Sequence, residues 1–191
     1  MEGCRLKAVD LACRRGERLL FRGLSFDLAA GEALHLAGPN GIGKTSLLRI
    51  VAGLLRPFAG SIEKTGDIAL LDDRLALDEH RSLESALAFW ARVDGRPAEV
   101  ERFGLGTLLD VPVRFLSTGQ RKRAGLARLA ARGAPIWLLD EPLNGLDTSA
   151  VEVVQALTAE HCANGGIALI ASHQPFALAG MKELVLTEFA A

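Results

Sequence analysis

The chain of 191 residues contains no tyrosine, and phenylalanine and tryptophan together make up only 5% of it. Single-stranded nucleic acids are held by stacked aromatic rings along a basic groove, so the shortage of rings speaks against that class of partner. Charge points the same way. With 22 lysines and arginines against 23 aspartates and glutamates, the net charge is −1, and no overall basic field exists to draw in a nucleic acid. Long apolar runs are also missing: no stretch reaches the roughly eighteen uninterrupted apolar residues expected of a membrane-spanning helix. The opening MEGCRLKAVDLACRRGE lacks the apolar centre of a secretory signal. The three cysteines, Cys4, Cys13 and Cys162, are odd in number and widely spaced. They form no CxxC pair, no Cys/His cluster at zinc spacing and no haem-attachment motif, a pattern that suits a reducing compartment. These absences predict a soluble, cytoplasmic chain.

What is present is apolar and alternating. Hydrophobic residues make up 49% of the chain, enough for one domain with a large core. Residues 18–28 read as a strand, Gly31-Glu32 as a turn, and EALHLAG (32–38) as a short buried strand. Apolar residues at helical spacing from Leu47 to Leu55 predict a helix that Pro57 stops. SIEKTGDIALL offers two short strands around Gly66. RSLESALAFWARVDGRP predicts an amphipathic helix with Leu83, Leu87, Trp90 and Val93 along one stripe, and AEVERFGLGTLLD a shorter helical piece. PIWLLDEP is an apolar strand ending in carboxylates. A helix over 148–162 and the strand GIALIAS complete an alternating βαβ pattern.

The chemistry sits at the ends of these elements. Gly38, Pro39, Asn40, Gly41, Ile42, Gly43, Lys44 and Thr45 fit G-x-x-x-x-G-K-[ST] in full, between a buried strand and a helix. The glycines let successive N–H groups turn inward around phosphates, Lys44 adds a point charge, Ser46 follows at the helix start, and the Thr45 hydroxyl can ligate Mg²⁺. Asp140, at the carboxyl end of the strand IWLLD, is placed to hold Mg²⁺, and Glu141 to orient and deprotonate an attacking water. Further on, Arg121, Lys122 and Arg123 crowd a helix start where the dipole favours anions, with Ser117 and Gly119 just ahead, as if an anion were to sit in front of it.

Leu116-Ser117-Thr118-Gly119-Gln120 resembles the LSGGQ signature of ABC ATPases, with Thr118 in place of the first glycine. The resemblance extends across the chain: Asn144-Gly145-Leu146-Asp147 looks like the D-loop, and His173 matches the switch histidine that contacts the γ-phosphate. It implies an α/β P-loop NTPase of the ABC ATPase type, with a RecA-like core, a small N-terminal β part and an inserted helical subdomain. The expected division is a single nucleotide-binding domain over 1–191, with the core at about 1–73 and 133–191 and the helical subdomain at about 74–132. It also implies ATP and Mg²⁺ as ligands, and an ATP-sandwiched homodimer in which Ser117, Thr118, Gly119 and Gln120 of one copy complete the site of the other. DVPVRFLSTGQ and ASHQP resemble a narrower group, the ATP-binding subunits of the cytochrome c biogenesis haem exporter, and the short chain fits it too. That likeness implies integral membrane partners that handle haem, no nucleic acid, and a peripheral place on the inner face of the cell membrane.

Two positions depart from the family pattern. Where ABC ATPases put an aromatic to stack on adenine, this chain offers Arg14 or Arg15, which either stack on the base or are solvated loop charges; Arg15 is taken as the base contact. Where a glutamine should close the strand DIALL and ligate Mg²⁺, Asp73 falls nearest, and its carboxylate suits a hard cation. The leading expectation is an ATP-hydrolysing transporter subunit. A soluble ABC ATPase outside transport and a non-hydrolysing regulatory module are the alternatives.

Overall fold

A computed structural model describes residues 3–190. Strands β1 (Arg5–Arg15), β2 (Arg18–Ala29) and β4 (Ala59–Thr65) form an antiparallel sheet in the order β2-β1-β4. Strands β3 (Ala33–Ala37), β5 (Ile68–Leu71), β6 (Ile136–Asp140), β7 (Ile167–Ala171) and β8 (Lys182–Val185) form a parallel sheet in the order β5-β6-β7-β3-β8. Every residue of β6 (IWLLD) and β7 (IALIA) is buried. A parallel sheet covered on both faces requires such continuous apolar runs. Side chains alternate between the faces: Ile136, Leu138, Ile167 and Leu169 pack with Leu47 and Leu48 on one side, while Trp137, Leu139, Ala168 and Ile170 pack with Leu126, Leu129 and Leu157 on the other.

Helices α1 (Lys44–Val51), α3 (Thr118–Arg132) and α4 (Thr148–Ala163) cover these faces, and α2 (Leu83–Asp94) packs on α3. Helix α2 starts on Ser82, whose side chain accepts from Ser85 N–H at 3.3 Å, and stops at Gly95 with φ 73°, as capping rules lead one to expect. Its core stripe is Leu83, Ala86 and Leu87, with Trp90 packed against it; Val93 is exposed. Ten residues at 3.6 per turn carry position 93 about 80° round the helix from Leu83, off the buried face that the stripe Leu83-Leu87-Trp90-Val93 assumed. The helix expected in AEVERFGLGTLLD is instead two short 3₁₀ turns, Glu101–Phe103 and Gly106–Leu108, parted at Gly104 with φ 59°. Strand β7 is not the last core strand: β8 adds the edge beside β3, from a stretch of four residues too short to read. Among the cysteines, Cys13 and Cys162 are buried and Cys4 is half-buried, all unpaired. Burial pushes all three thiols up, which lowers their thiolate fraction. No helix among the described residues is long and apolar enough to cross a membrane.

Candidate nucleotide site

Because all five strands of the larger sheet run the same way, their carboxyl ends share one edge, the place where open α/β sheets bind ligands. The loop 38–43 leaves β3 there, Asp140 and Glu141 leave β6, Ser172 and His173 leave β7, and Asp72 and Asp73 leave β5.

The loop into α1 is built on glycines that take conformations closed to other residues: φ is 141° at Gly38, 80° at Gly41 and 121° at Gly43. Gly43 also lies against Phe21, which a Cβ would meet at 3.1 Å. Helix α1 begins without a side-chain cap and without an acidic residue in its first turn, so its N–H groups and dipole are left for an anion. Lys44 is 5% exposed; its ammonium donates to the carbonyls of Gly38 (2.6 Å) and Pro39 (3.3 Å) and lies 3.7 Å from Glu141 Oε1. A buried cation requires such partners, and they fold Lys44 back across the loop.

Asp140 is 8% exposed, and its Oδ1 is buried without a hydrogen-bond partner. Burial pushes its carboxyl up, a hydrogen bond with Thr45 opposes this, and the carboxylates of Asp73, Glu141 and Asp72 add to the rise. An orphaned carboxylate oxygen beside a threonine hydroxyl fits a Mg²⁺ ion. Mg²⁺ is usually held by one or two carboxylates together with waters and substrate phosphates, a need that Asp140 and Thr45 can meet.

Glu141 has φ 47°, a left-handed conformation that costs a non-glycine residue about 1 kcal/mol or more and concentrates at functional sites. Its N–H donates to the Ala171 carbonyl (2.8 Å). Oε2 accepts from His173 Nδ1 at 2.8 Å and from His173 N–H at 3.4 Å. A carboxylate only accepts, so the hydrogen is on Nδ1 and the other ring nitrogen is left for a ligand. Glu141 thus touches both Lys44 and His173, residues dispersed in sequence.

Ser117 caps α3. Its hydroxyl accepts from Gln120 N–H (3.2 Å), and Gln120 Oε1 accepts from Ser117 N–H (2.8 Å), a complete capping box. Two of the N–H groups expected to face an anion are therefore satisfied within the helix, which leaves Thr118 and Gly119 at its tip. Asp147 caps α4, accepting from Ala150 N–H (2.8 Å) and the Ser149 hydroxyl (3.0 Å), and these bonds hold its carboxyl below the usual range.

Asp73, nearest to the place of the expected glutamine, lies beside a cation. Its side chain is 91% exposed and pairs with the buried ammonium of Lys122 at 3.3 Å, while neighbouring Asp72 faces Arg49 at 3.7 Å. The arginines also separate. Arg14 lies over the Phe58 ring, 4.7 Å from its centre. Arg15 is exposed. Sequence reasoning grouped Lys122 with Arg121 and Arg123 at an anion-facing helix start and missed its buried pairing with Asp73; it missed His35 altogether. The available signal for His35 was a polar residue in the middle of the apolar strand ALHLA. Nothing in RKR distinguished Lys122 as the buried cation.

A glycine loop on a helix start, a carboxylate pair at the end of a parallel strand and a capped helix bearing LSTGQ define an ATPase of the ABC class. The family model described as ABC transporter matches residues 21–144. The chain is 64% identical over 191 residues to the cytochrome c biogenesis ATP-binding export protein CcmA of Novosphingobium aromaticivorans, covering 99% of each. To the protein of the same name from Zymomonas mobilis it is 53% identical, covering 98% of this chain and 86% of that one. The chain belongs to the ABC transporter family, on the branch of the CcmA proteins. Among solved structures, a putative ABC transporter ATP-binding protein from Pyrococcus furiosus shares the fold with a TM-score of 0.81, 24% identity and coverage of 98% of this chain and all of that one. A chain of an inward-facing putative metal-chelate type ABC transporter matches with a TM-score of 0.78 at 25% identity, covering 96% and 80%.

Proposed function

We propose that this chain is the ATP-hydrolysing subunit of an ABC exporter that serves cytochrome c biogenesis, with a haem-related cargo and haem-handling membrane partners. The observation that carries the hydrolytic part is the contact of Glu141 with both His173 and Lys44 one residue beyond Asp140. The export role rests on the CcmA relatives.

In this reading the N–H groups of 40–46 and the Lys44 ammonium would hold the β- and γ-phosphates, and Thr45 and Asp140 would hold Mg²⁺. The ion neutralises charge on the phosphate oxygens when bound. Glu141 accepts a proton from water as its oxygen attacks the γ-phosphorus and the bond to ADP breaks. His173 steadies Glu141 through Nδ1, and with both ring nitrogens protonated it also donates through Nε2 to the γ-phosphate. Thr118 and Gly119 of a second copy, on a helix start stiffened by Ser117 and Gln120, close the site from the other side, with Asp147 holding the adjoining loop. Arg15 stacks on the base. Asp73 serves the signature helix through Lys122, and its exposed carboxylate remains within the field of Asp140. The membrane subunits dock on the helical side, where a groove of about 190 Å³ lined by Leu54, Leu75, Leu77 and Arg128 opens and Phe89 and Phe115 are exposed. The chain then works in the cytoplasm, peripherally on the inner face of the membrane.

Glu141→Gln tests the assignment. Removing a general base typically costs about 10²–10⁴-fold in rate, so the variant is expected to bind ATP, dimerise with it and barely turn over. Turnover near that of the unaltered chain would overturn the reading. Recovery of multi-span membrane proteins with the ATP-bound variant from detergent-solubilised membranes checks the export role; recovery of the variant alone would remove it.

A further inference from the structure

We propose that His35, in the middle of β3, is a positioning residue for His173, acting through the peptide group between Ser172 and His173. The inference rests on the reading of Glu141 and His173 as a hydrolytic pair.

His35 is 9% exposed. An imidazole is costly to bury unless its nitrogens find partners, and a strand interior between apolar neighbours gains nothing from one. Its Nε2 lies 3.1 Å from the Ser172 carbonyl oxygen. A carbonyl oxygen only accepts, so Nε2 carries the hydrogen. On the other side Nδ1 lies 3.4 Å from Glu183 Oε1. The sheet order explains the reach: β3 sits between β7 and β8, with Ile170 and Glu183 paired opposite His35.

Ser172 is the first residue past β7, and the ladder between β3 and β7 ends one residue earlier, at Leu36 and Ala171. From there the chain borders an open cavity of about 720 Å³ shared with Gly38, Pro39 and Met181. The peptide group leaving Ser172 is held at both ends. Its carbonyl accepts from His35, and its N–H, belonging to His173, points at Glu141 Oε2 (3.4 Å), the same oxygen that receives His173 Nδ1 (2.8 Å). Rotation of this one peptide plane would swing the His173 ring away from Glu141. Methionine at 35 fills the space without a donor; glutamine, of nearly the same shape, keeps one.

The experiment compares His35→Met with His35→Gln in the full chain, with His35→Leu replacing His35→Met should that variant not fold. With ¹⁵N-labelled histidine, the His173 ring resonances are expected to move in His35→Met and to stay near their original positions in His35→Gln. Unmoved resonances in His35→Met overturn the proposal. Displacing a reacting group by about 1 Å costs about 10²-fold, and a tilted peptide is a smaller error. His35→Met is therefore expected to lower kcat on the order of tenfold, with KM for ATP unchanged within about twofold and most of the rate restored in His35→Gln. Placed on a His173→Ala background, His35→Met should lower kcat no further; an equal loss on both backgrounds overturns the proposal. If the unaltered chain hydrolyses no ATP, the hydrolytic reading fails, and the ring resonances still decide whether His35 positions His173.

Discussion

The backbone of Gly119 lies so close to the carbonyl oxygen of Gly145 that no Cβ fits between them. Gly119 belongs to the first turn of α3 and Gly145 to the loop before α4, so this helix start and this loop rest on each other within one chain. Gly119→Ala must push that loop aside. Overpacking of this kind costs about 1–3 kcal/mol, and we expect a loss of that size in urea unfolding together with slower hydrolysis. An unchanged midpoint and rate would mean that the loop yields freely and that the contact carries no constraint.

Asp73 and Lys122 should respond unequally to mutation. Lys122→Met exchanges a buried cation for an apolar side chain of similar length and leaves an aspartate that is already in water; such exchanges of a buried ion are often neutral or stabilising, so no loss is expected. Asp73→Ala leaves the buried ammonium without its carboxylate, and an unsatisfied buried donor costs about 1–3 kcal/mol. Denaturant unfolding of both variants decides; a larger loss for Lys122→Met would show that the lysine stem, not its charge, matters to the packing of α3.

Arg15→Ala should weaken ATP binding by no more than about fivefold, since a guanidinium over a ring contributes about 1 kcal/mol at an exposed site. Arg14→Ala should leave ATP binding unchanged, because Arg14 is engaged with Phe58. Dissociation constants for ATP and GTP measure both. A hundredfold loss in Arg15→Ala would move the main source of affinity from the phosphate cradle to the base.

His161 gives the fold a dependence on acid. Its ring stacks on Trp137 with centres 3.9 Å apart and planes 9° apart. Burial lowers its affinity for a proton, opposed by hydrogen bonds from the ring to the backbone carbonyls of Ile167 and Pro135. In the unfolded chain a histidine titrates near pH 6.5. Below that value the unfolded state takes up a proton that the folded state refuses, so stability falls as pH drops and is level above it. His161→Phe keeps the stacked ring and has no proton to gain. Unfolding free energies at pH 7.5 and 5.5 should therefore shift in favour of the variant at the lower pH; a difference independent of pH would show that His161 titrates as it does in the unfolded chain.

Much of the site was legible because its chemistry is local. The loop 38–45 needs three positive-φ glycines, a lysine and a threonine within eight consecutive positions, and no distant residue changes that requirement. The strands IWLLD and IALIA were legible for a similar reason: burial on both faces demands apolar residues at every position. The 3₁₀ turns around Gly104 were not, since one glycine in the left-handed region overrides a helical composition. Strand β8 was not, because four residues carry too little pattern and their pairing with β3 is made across the chain.

The sequence alone determined the class of chemistry, through motifs whose function lies in their own backbone and side chains. Tertiary structure decided the partners. Glu141 meets His173 and Lys44 only because β3, β6 and β7 lie side by side and end at one edge. Asp73 meets Lys122 rather than a neighbour in sequence, and His35 reaches Ser172 across a strand boundary. Contacts of this kind depend on sheet order and on which side chains are denied water, and both are properties of the packed chain as a whole.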